Sequence, residues 1–398
     1  MRDSADSPLA ERAWARTGDV YFQAERYADA QRCYRGLLEH FAQSSAAGLA
    51  RLRLAQCEYN AGRDAEALKA YSAVIERSPN SVYAREAQRG TERTLYRLSQ
   101  KPGGGALLAR LVDQYPTSPF AADALFQIGK RCYQQKQWAE AADRLRQVVT
   151  RFPSYSAADQ AQFLIADAYA QAGSRDEARQ AYERFLAYFP ESRLAPTVGF
   201  RLGLLRFQAK EFLPAAAAFE RALADSLAPE LHSAARYDLA LCHRQLGDQD
   251  KARAELERYR AESPNGAQAA DATFQLADLD EGAGHLEDAA RGFGRTLALS
   301  PAPSLALEAA FRLGRCREQL HDGPGALKAY QVATQSAERA HPMRLSALAR
   351  VAALHEARGE TTLAVAAYRD IMRNAKDQEL VAAAADRVSA LAGSQRRR

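Results

Sequence analysis

Histidine and cysteine are the side chains best able to serve as bases, nucleophiles or metal ligands near neutral pH, and in this chain their spacing isolates them. The seven histidines (His40, His232, His243, His285, His321, His341, His355) include no H-E-x-x-H pair, and none is spaced to share a helical face with a cysteine or carboxylate. Five cysteines form no C-x-x-C pair, and the odd number argues against a closed disulfide framework. Cys57, Cys242 and Cys316 lie whole multiples of 37 residues apart, too distant to share one metal, and read as small buried hydrophobes. The run Gly103 to Gly105 after Lys101 lacks the G-x-x-x-x-G-K-[ST] order and has no strand before it, so a phosphate cradle is not expected. Catalysis, metals and cofactors therefore have no support. The remaining chemistry is recognition by arginine and side-chain amides.

The elements that position those groups follow from the chain's period. Stepping by 37 from Ala30 gives Ala67, Gly104, Ala141, Ala178, Ala215, Ala252, Ala289 and Ala326, then Ala364 after one extra residue. Four residues later stand Tyr34, Tyr71, Leu108, Leu145, Tyr182, Phe219, Leu256, Phe293, Tyr330 and Tyr368. Twelve before the alanine stand Gly18, Ala55, Glu92, Gly129, Ala166, Gly203, Ala240, Ala277, Gly314 and Ala352. Apolar spacing inside a unit is helical, as in Ala122, Phe126, Gly129, Tyr133 and then Ala141, Leu145, Val148, so each unit predicts two helices. Gly62, Gly173, Gly247, Gly284 and Gly359 mark the break between the two. Pro79, Pro116, Pro153, Pro190, Pro264 and Pro301 close units, and the serines Ser81, Ser118 and Ser192 are expected to cap the next helix. One pair cannot bury its apolar faces alone, so pairs must stack.

Composition agrees with such a chain. With 47% apolar and 26% charged residues it is neither a disordered nor a membrane composition, and sparse Val, Ile and Thr disfavour an all-β fold. A net charge of +5 from 54 basic and 49 acidic residues does not imply a nucleic-acid binder, although Arg396 to Arg398 are basic. No apolar run reaches membrane-spanning length and Met1 to Pro8 hold no apolar export region, so a cytoplasmic location is expected. A periplasmic or outer-membrane-associated location is the alternative if a leader is missing.

The first unit, Trp14-Ala-Arg-Thr-Gly18-Asp-Val-Tyr21 followed by Ala30-x-x-x-Tyr34, resembles the tetratricopeptide repeat (TPR) signature. The resemblance spans nearly the whole chain, with units three residues longer than the usual 34. The joins and the Phe-x-Leu-Gly segments at 200–203 and 311–314 look like bacterial envelope members, the Tol-Pal coordinator and outer-membrane assembly lipoprotein types. It implies an all-α, right-handed α-solenoid of about ten helix pairs with a C-terminal capping helix. The expected divisions are a short flexible leader over 1–9, ten repeats over 10–376, a capping helix over 377–393 ended at Gly393, and a basic tail over 394–398. Unit three, about 81–116, is degenerate: Glu92 and Gly104 replace small and alanine positions, and Lys101 to Gly105 are expected within the first turn of its second helix, making the weakest joint.

The resemblance also implies that the first helices of successive pairs form the concave wall. Its stripe ends in an amide in seven units: Gln23, Asn60, Gln134, Gln171, Gln208, Gln245 and Gln319. Amides suit hydrogen bonding to an extended peptide backbone, while a merely solvated face is the alternative. Arg16, Arg53, Arg93 and Arg97 cluster toward the front and Arg312, Arg315 and Arg350 toward the back, with Asp167, Asp238 and Asp278 between. With Asn60, the front cluster is the expected peptide-binding site, where relatives carry a carboxylate clamp; a salt-bridged, solvated face is the competing and favoured reading. The row Phe126, Phe163, Phe200, Tyr237, Phe274, Phe311 is either a line of anchors or joint packing, and packing is favoured because an exposed row would be a large apolar patch. The expected function is a non-catalytic protein-interaction scaffold for a protein or peptide partner, with no nucleic acid, no membrane insertion and an open oligomeric state. An envelope assembly factor, or the superhelical arm of a larger enzyme, is the alternative.

Overall fold

The computed structural model describes residues 7–224 and 227–395. Residues 1–6 of the expected leader and Arg396 to Arg398 of the expected tail lie outside them. Among the described residues there are α-helices and no strand. In order they are α1 (Pro8–Gln23), α2 (Tyr27–His40), α3 (Ala47–Asn60), α4 (Asp64–Arg77), α5 (Val82–Ser99), α6 (Gly105–Gln114), α7 (Ala121–Gln134), α8 (Trp138–Arg151), α9 (Ala158–Gln171) and α10 (Arg175–Tyr188). Then follow α11 (Ala195–Gln208), α12 (Phe212–Ala224), α13 (Pro229–Gln245), α14 (Gln249–Glu262), α15 (Ala269–Gly282), α16 (Leu286–Ala298), α17 (Pro303–Gln319), α18 (Gly323–Thr334), α19 (Pro342–Ala357), α20 (Thr361–Asn374) and α21 (Gln378–Gln395).

These helices fall into two compact units, Met1–Pro190 and Glu191–Arg398. Within each, a first helix packs on its second, and the second on the next first helix. First helices of neighbouring pairs also touch: α3 with α5 and α7 with α9 in one unit, α11 with α13, α15 with α17 and α17 with α19 in the other. Second helices of neighbouring pairs do not come that close among the described residues. Each stack therefore curves with its first helices on the inner side.

The core is built from one repeated contact. All nine phase alanines, from Ala30 to Ala364, are wholly buried, and the large residues four positions later are nearly so, Tyr368 being the most exposed at 8%. Where the first helix carries glycine at its small position, the large side chain of its second helix presses on it. A Cβ on Gly18 would stand 2.7 Å from the Tyr34 ring, and one on Gly203 or Gly314 would stand 2.6 Å from Phe219 or Tyr330. Such a close approach leaves no room for a larger side chain.

The turn inside a pair is equally regular. Arg63 N–H donates to the Glu58 carbonyl and Gly62 N–H to the Tyr59 carbonyl, each at 3.0 Å, and the same two bonds recur at Gly173/Ser174, Gly247/Asp248, Gly284/His285 and Gly359/Glu360. This is the Schellman closure, which needs a left-handed residue, and Gly62 has φ +75°. Glu25, Lys136, Lys210 and His321 take the same left-handed place without being glycine.

Several expectations change. Ser81 does cap α5, accepting from Ala84 N–H at 3.0 Å. Ser118 and Ser192 instead accept from Phe120 and Leu194 N–H, two residues on, because an extra pair of residues separates them from the helix start. Pro8 and Leu9 of the expected leader already belong to α1, capped by Ser7. The last helix runs through Gly393 to Gln395, so that glycine does not end it.

Unit three departs most. The glycine run forms the turn before α6, not its first turn: Gly103 has φ +81°, Gly104 is the N-cap and α6 starts at Gly105. A Cβ on Gly104 would lie 2.5 Å from the Leu98 carbonyl oxygen, so the end of α5 requires glycine there. Here α5 is 18 residues long and packs mainly on α4, whereas α6 has only 10 residues and the thinnest contacts on both sides.

Two outcomes follow from this packing. Ala178→Leu or Ala289→Leu overfills the pair contact and lowers stability by about 1 to 3 kcal/mol, while exposed Glu177→Gln leaves the thermal midpoint unchanged; equal effects would refute the register. Hydrogen exchange in the first unit, termini aside, is fastest in α6 and the turn before it, because a stack opens where neighbour contacts are fewest. Protection of α6 equal to that of α8 and α9 would contradict this.

Candidate functional site

The amides of the stripe share one structural place. Gln23, Asn60, Gln134 and Gln171 in the first unit, and Gln208, Gln245 and Gln319 in the second, are each the last residue of a first helix, exposed at the lip beside the turn. Their side chains make no hydrogen bond among the described residues and are open to a ligand or to water. In α5 the same repeat position is Arg97.

Arg97 is not a free cation. Its Nε donates to Asp64 Oδ1 at 2.8 Å, its Nη2 to the Tyr59 carbonyl at 2.6 Å, and its guanidinium lies 3.5 Å over the Tyr59 ring. Lys101 Nζ donates to Asp64 Oδ2 at 2.8 Å. Asp64 is only 4% exposed; burial works against its charge, but the bonds from Lys101 and Arg97 outweigh it and hold its pKa below the ordinary 3.8. Arg97 therefore ties α5 to α3 and α4, and it leaves the expected peptide-binding set.

The other front arginines differ in how far they are engaged. Arg93 is exposed and lies 3.7 Å from Glu86 on its own helix. Arg53 is half-buried: Nη1 donates to Gln56 Oε1 at 3.0 Å, and the guanidinium sits 4.8 Å over the Phe22 ring. Its Nε, 3.6 Å from Asp19 Oδ1, is buried without a hydrogen-bond partner. Asp19 is meanwhile engaged by the Tyr34 hydroxyl at 2.7 Å. Arg16, at the same repeat position on α1, is exposed and has no ion pair among the described residues. An orphaned donor on Arg53, with a free guanidinium one repeat earlier on α1, calls for an acceptor.

In the second unit the arginines are consumed by carboxylates on the neighbouring first helix. Arg244 and Arg312 both bond Asp278, Arg315 bonds Glu281, Arg350 bonds Glu318 and Arg387 bonds Glu356. The expected back cluster of Arg312, Arg315 and Arg350 is thus a ladder of struts. Sequence reasoning missed its signal: the partners of Asp278 and Glu281 stand 34 residues away, one repeat less one turn.

The three middle aspartates have three fates. Asp167 accepts from the Tyr133 hydroxyl and, at 3.2 Å, from that of Tyr182. Asp278 holds two arginines. Asp238, half-buried, has no partner among the described residues, and burial pushes its pKa up to about 6.

The aromatic row packs inward. Phe126 meets Tyr155, Phe200 meets Phe219, Tyr237 meets Tyr259, Phe274 meets Phe293 and Phe311 meets Tyr330, with ring centroids 5.4 to 5.9 Å apart. All five cysteines are buried thiols, and burial raises Cys57, Cys242 and Cys316 to about 12, far from a nucleophile's range. Among the described residues no group of three or more His, Cys, Asp or Glu could hold a metal, and no helix is long and apolar enough to cross a membrane.

The family model described as "Tetratricopeptide repeat" matches residues 5–82, 200–267 and 274–339. The model described as "Outer membrane lipoprotein" matches 121–213. No curated protein matches the chain. Among similar solved structures are a tetratricopeptide repeat protein from Parabacteroides merdae (13% identity, 67% of this chain and 98% of that one, TM-score 0.42) and PilW, a type IV pilus biogenesis factor (19%, 57% and 98%, 0.41). YrrB, described as a TPR protein with an unusual peptide-binding site, is 17% identical over 52% of this chain and 98% of its own, with TM-score 0.42.

The isolated Asp238 gives a pH test. A carboxyl whose folded pKa is raised favours the fold fully below the ordinary 3.8, and that contribution is lost as pH rises through about 6. Asp238→Asn, which mimics the neutral form, accordingly gains on the order of 1 to 2 kcal/mol at pH above 7 and nothing in acid below the ordinary pKa. Thermal unfolding at the two pH values checks it; an equal change at both would refute the isolated-carboxylate reading.

Proposed function

We propose that this chain, which belongs to the tetratricopeptide repeat family, is a non-catalytic scaffold that holds a protein or peptide segment along the inner wall of its first unit. Repeats of this family bind peptide or protein partners. The observation that carries the site is the Arg16 and Arg53 pair, one cation free and the other with a buried, unsatisfied Nε, at matching positions on α1 and α3. Arg93 extends the cationic stretch, and Asn60, Gln134 and Gln171 supply backbone-pairing amides at the lip. Gln208 and Gln245 offer the same groups on the second unit's own wall. The proposal takes residues 10–376 as ten repeats, with 81–116 degenerate and the final helix covering α20, and includes neither nucleic acid nor membrane insertion.

A second reading concerns place. The lipoprotein-type match over residues 121–213 supports a role in assembling or coordinating the bacterial cell envelope, with a periplasmic or outer-membrane-associated location in place of a cytoplasmic one. Fractionation of the native bacterium with an antibody to the chain decides between compartments.

The binding reading is tested by affinity capture with mass spectrometry, followed by titration of the recovered partner. Reversing Arg16 and Arg53 to Glu weakens that partner by about 2 kcal/mol or more if the orphaned donor meets its charge, against about 0 to 1 for Arg179→Glu with Arg184→Glu on the second helix α10. Circular dichroism verifies the fold of both. Equal weakening would mean long-range attraction only, and an unchanged affinity in the wall variant would remove the site from α1 and α3.

A further inference from the structure

The aromatic row has a gap that opens a second surface. One repeat before Phe126 the position is Arg89 on α5, and in place of a ring packed inward it carries a side chain 74% exposed. Arg85 and Arg93 stand one helical turn to either side, so three guanidiniums follow one another along a single face of α5. Opposite them, the segment joining α6 to α7 contributes Thr117, Pro119 and Phe120, and together these walls bound a groove of about 540 Å³.

The side formed by Pro119 and Phe120 is fixed and partly apolar. The half-buried Phe120 ring stacks on Tyr96, with centroids 4.8 Å apart and planes within 19°. Tyr96 is itself held by its hydroxyl bond to Asp123 Oδ2 at 2.5 Å, and Tyr155 holds the other oxygen of Asp123 at 2.7 Å. The balance of charge favours an anion. Glu86 is divided between Arg89 at 3.4 Å and Arg93 at 3.7 Å, Glu92 is 7% exposed, and Arg85 has no ion-pair partner among the described residues.

Resting on the reading of the chain as a binder of partner segments, we propose that this groove takes an acidic stretch of a partner protein bearing one large apolar side chain. The carboxylates meet the guanidiniums of Arg85, Arg89 and Arg93, whose forked donors suit carboxylate oxygens in pairs. The apolar side chain lies on Phe120 and Pro119, where exclusion of water adds the anchor that surface charges alone do not provide. The groove belongs to α5 and the α6–α7 connection; it shares Arg93 with the wall and contains neither Arg16 nor Arg53.

The full chain is titrated by fluorescence polarisation with fluorescein-labelled Glu-Asp-Phe-Asp-Glu, its amide counterpart Gln-Asn-Phe-Asn-Gln, Glu-Asp-Ala-Asp-Glu and an oligothymidylate. The acidic phenylalanine peptide is expected to bind best and to lose affinity as salt shortens the range of the charges. Arg85→Glu with Arg89→Glu weakens it about tenfold or more, whereas Arg179→Glu with Arg184→Glu on the second helix α10 leaves it nearly unchanged. Phe120→Ala abolishes the preference for phenylalanine over alanine in the peptide, and the arginine variant keeps the test decisive should Phe120→Ala fail to fold. The proposal is overturned by equal binding of the amide peptide, by an unaltered affinity in the Arg85 and Arg89 variant, by equal loss in the α10 variant, or by tighter binding of the oligothymidylate. Failure here leaves the wall reading standing, since that is judged with Arg16 and Arg53 alone.

Discussion

Everything in this chain depends on a large side chain of one helix settling against a glycine or alanine of its partner. Where the small residue is present the two backbones draw together, the phase alanine is sealed, and the pair becomes a block with a fixed crossing. Stacking follows from that closeness, because a pair buries only part of its apolar surface and leaves the rest for the next. Unit three illustrates the constraint by breaking it: Glu92 stands where others have glycine or alanine, the small residue shifts to Gly90, and the ring that presses on it is Tyr71 of the preceding pair. As a result α5 joins its predecessor more closely than its own partner, and the second helix of the unit is shortened.

Period and pairing were legible in the sequence because they rest on residue size, which recurs at fixed phase. The glycine turns were legible at Gly62, Gly173, Gly247, Gly284 and Gly359, but identical turns at Glu25, Lys136, Lys210 and His321 were hidden, since closure bonds can hold an ordinary residue in the left-handed conformation. The serine joins misled because Ser118 and Ser192 are followed by two extra residues, an offset that a cap motif does not reveal. The glycine run at 103–105 leads into α6, which starts only at its last residue, an offset hidden in the sequence because α5 outlasts the other first helices of its unit.

The candidate site was only half legible, and for an electrostatic reason. Sequence phase shows which cations face the same wall, but not which already have an anion. Arg97 faces the wall and is spent on Asp64, whose near-total burial makes that pairing obligatory. Lys101, one full repeat beyond Asp64, completes the pair from the same phase. The second unit repeats the lesson with Asp278 between Arg244 and Arg312. What separates Arg16 and Arg53 from these is how little acid engages them: Arg16 has no ion pair among the described residues, and Arg53 Nε stands 3.6 Å from an Asp19 oxygen that already accepts from Tyr34.

The shared carboxylates carry a mechanical consequence. Asp123 joins Tyr96 of α5 to Tyr155 ahead of α9, Asp167 joins Tyr133 of α7 to Tyr182 of α10, and Asp278 joins α13 to α17. Each is a rivet through two helix contacts at once, so the helices it spans resist bending as one beam. Among the described residues no such rivet is anchored on the short helix α6, although Tyr96 and Asp123 bridge past it. A wall made of riveted spans behaves like a ruler: the intervals between its own side chains tolerate little stretching.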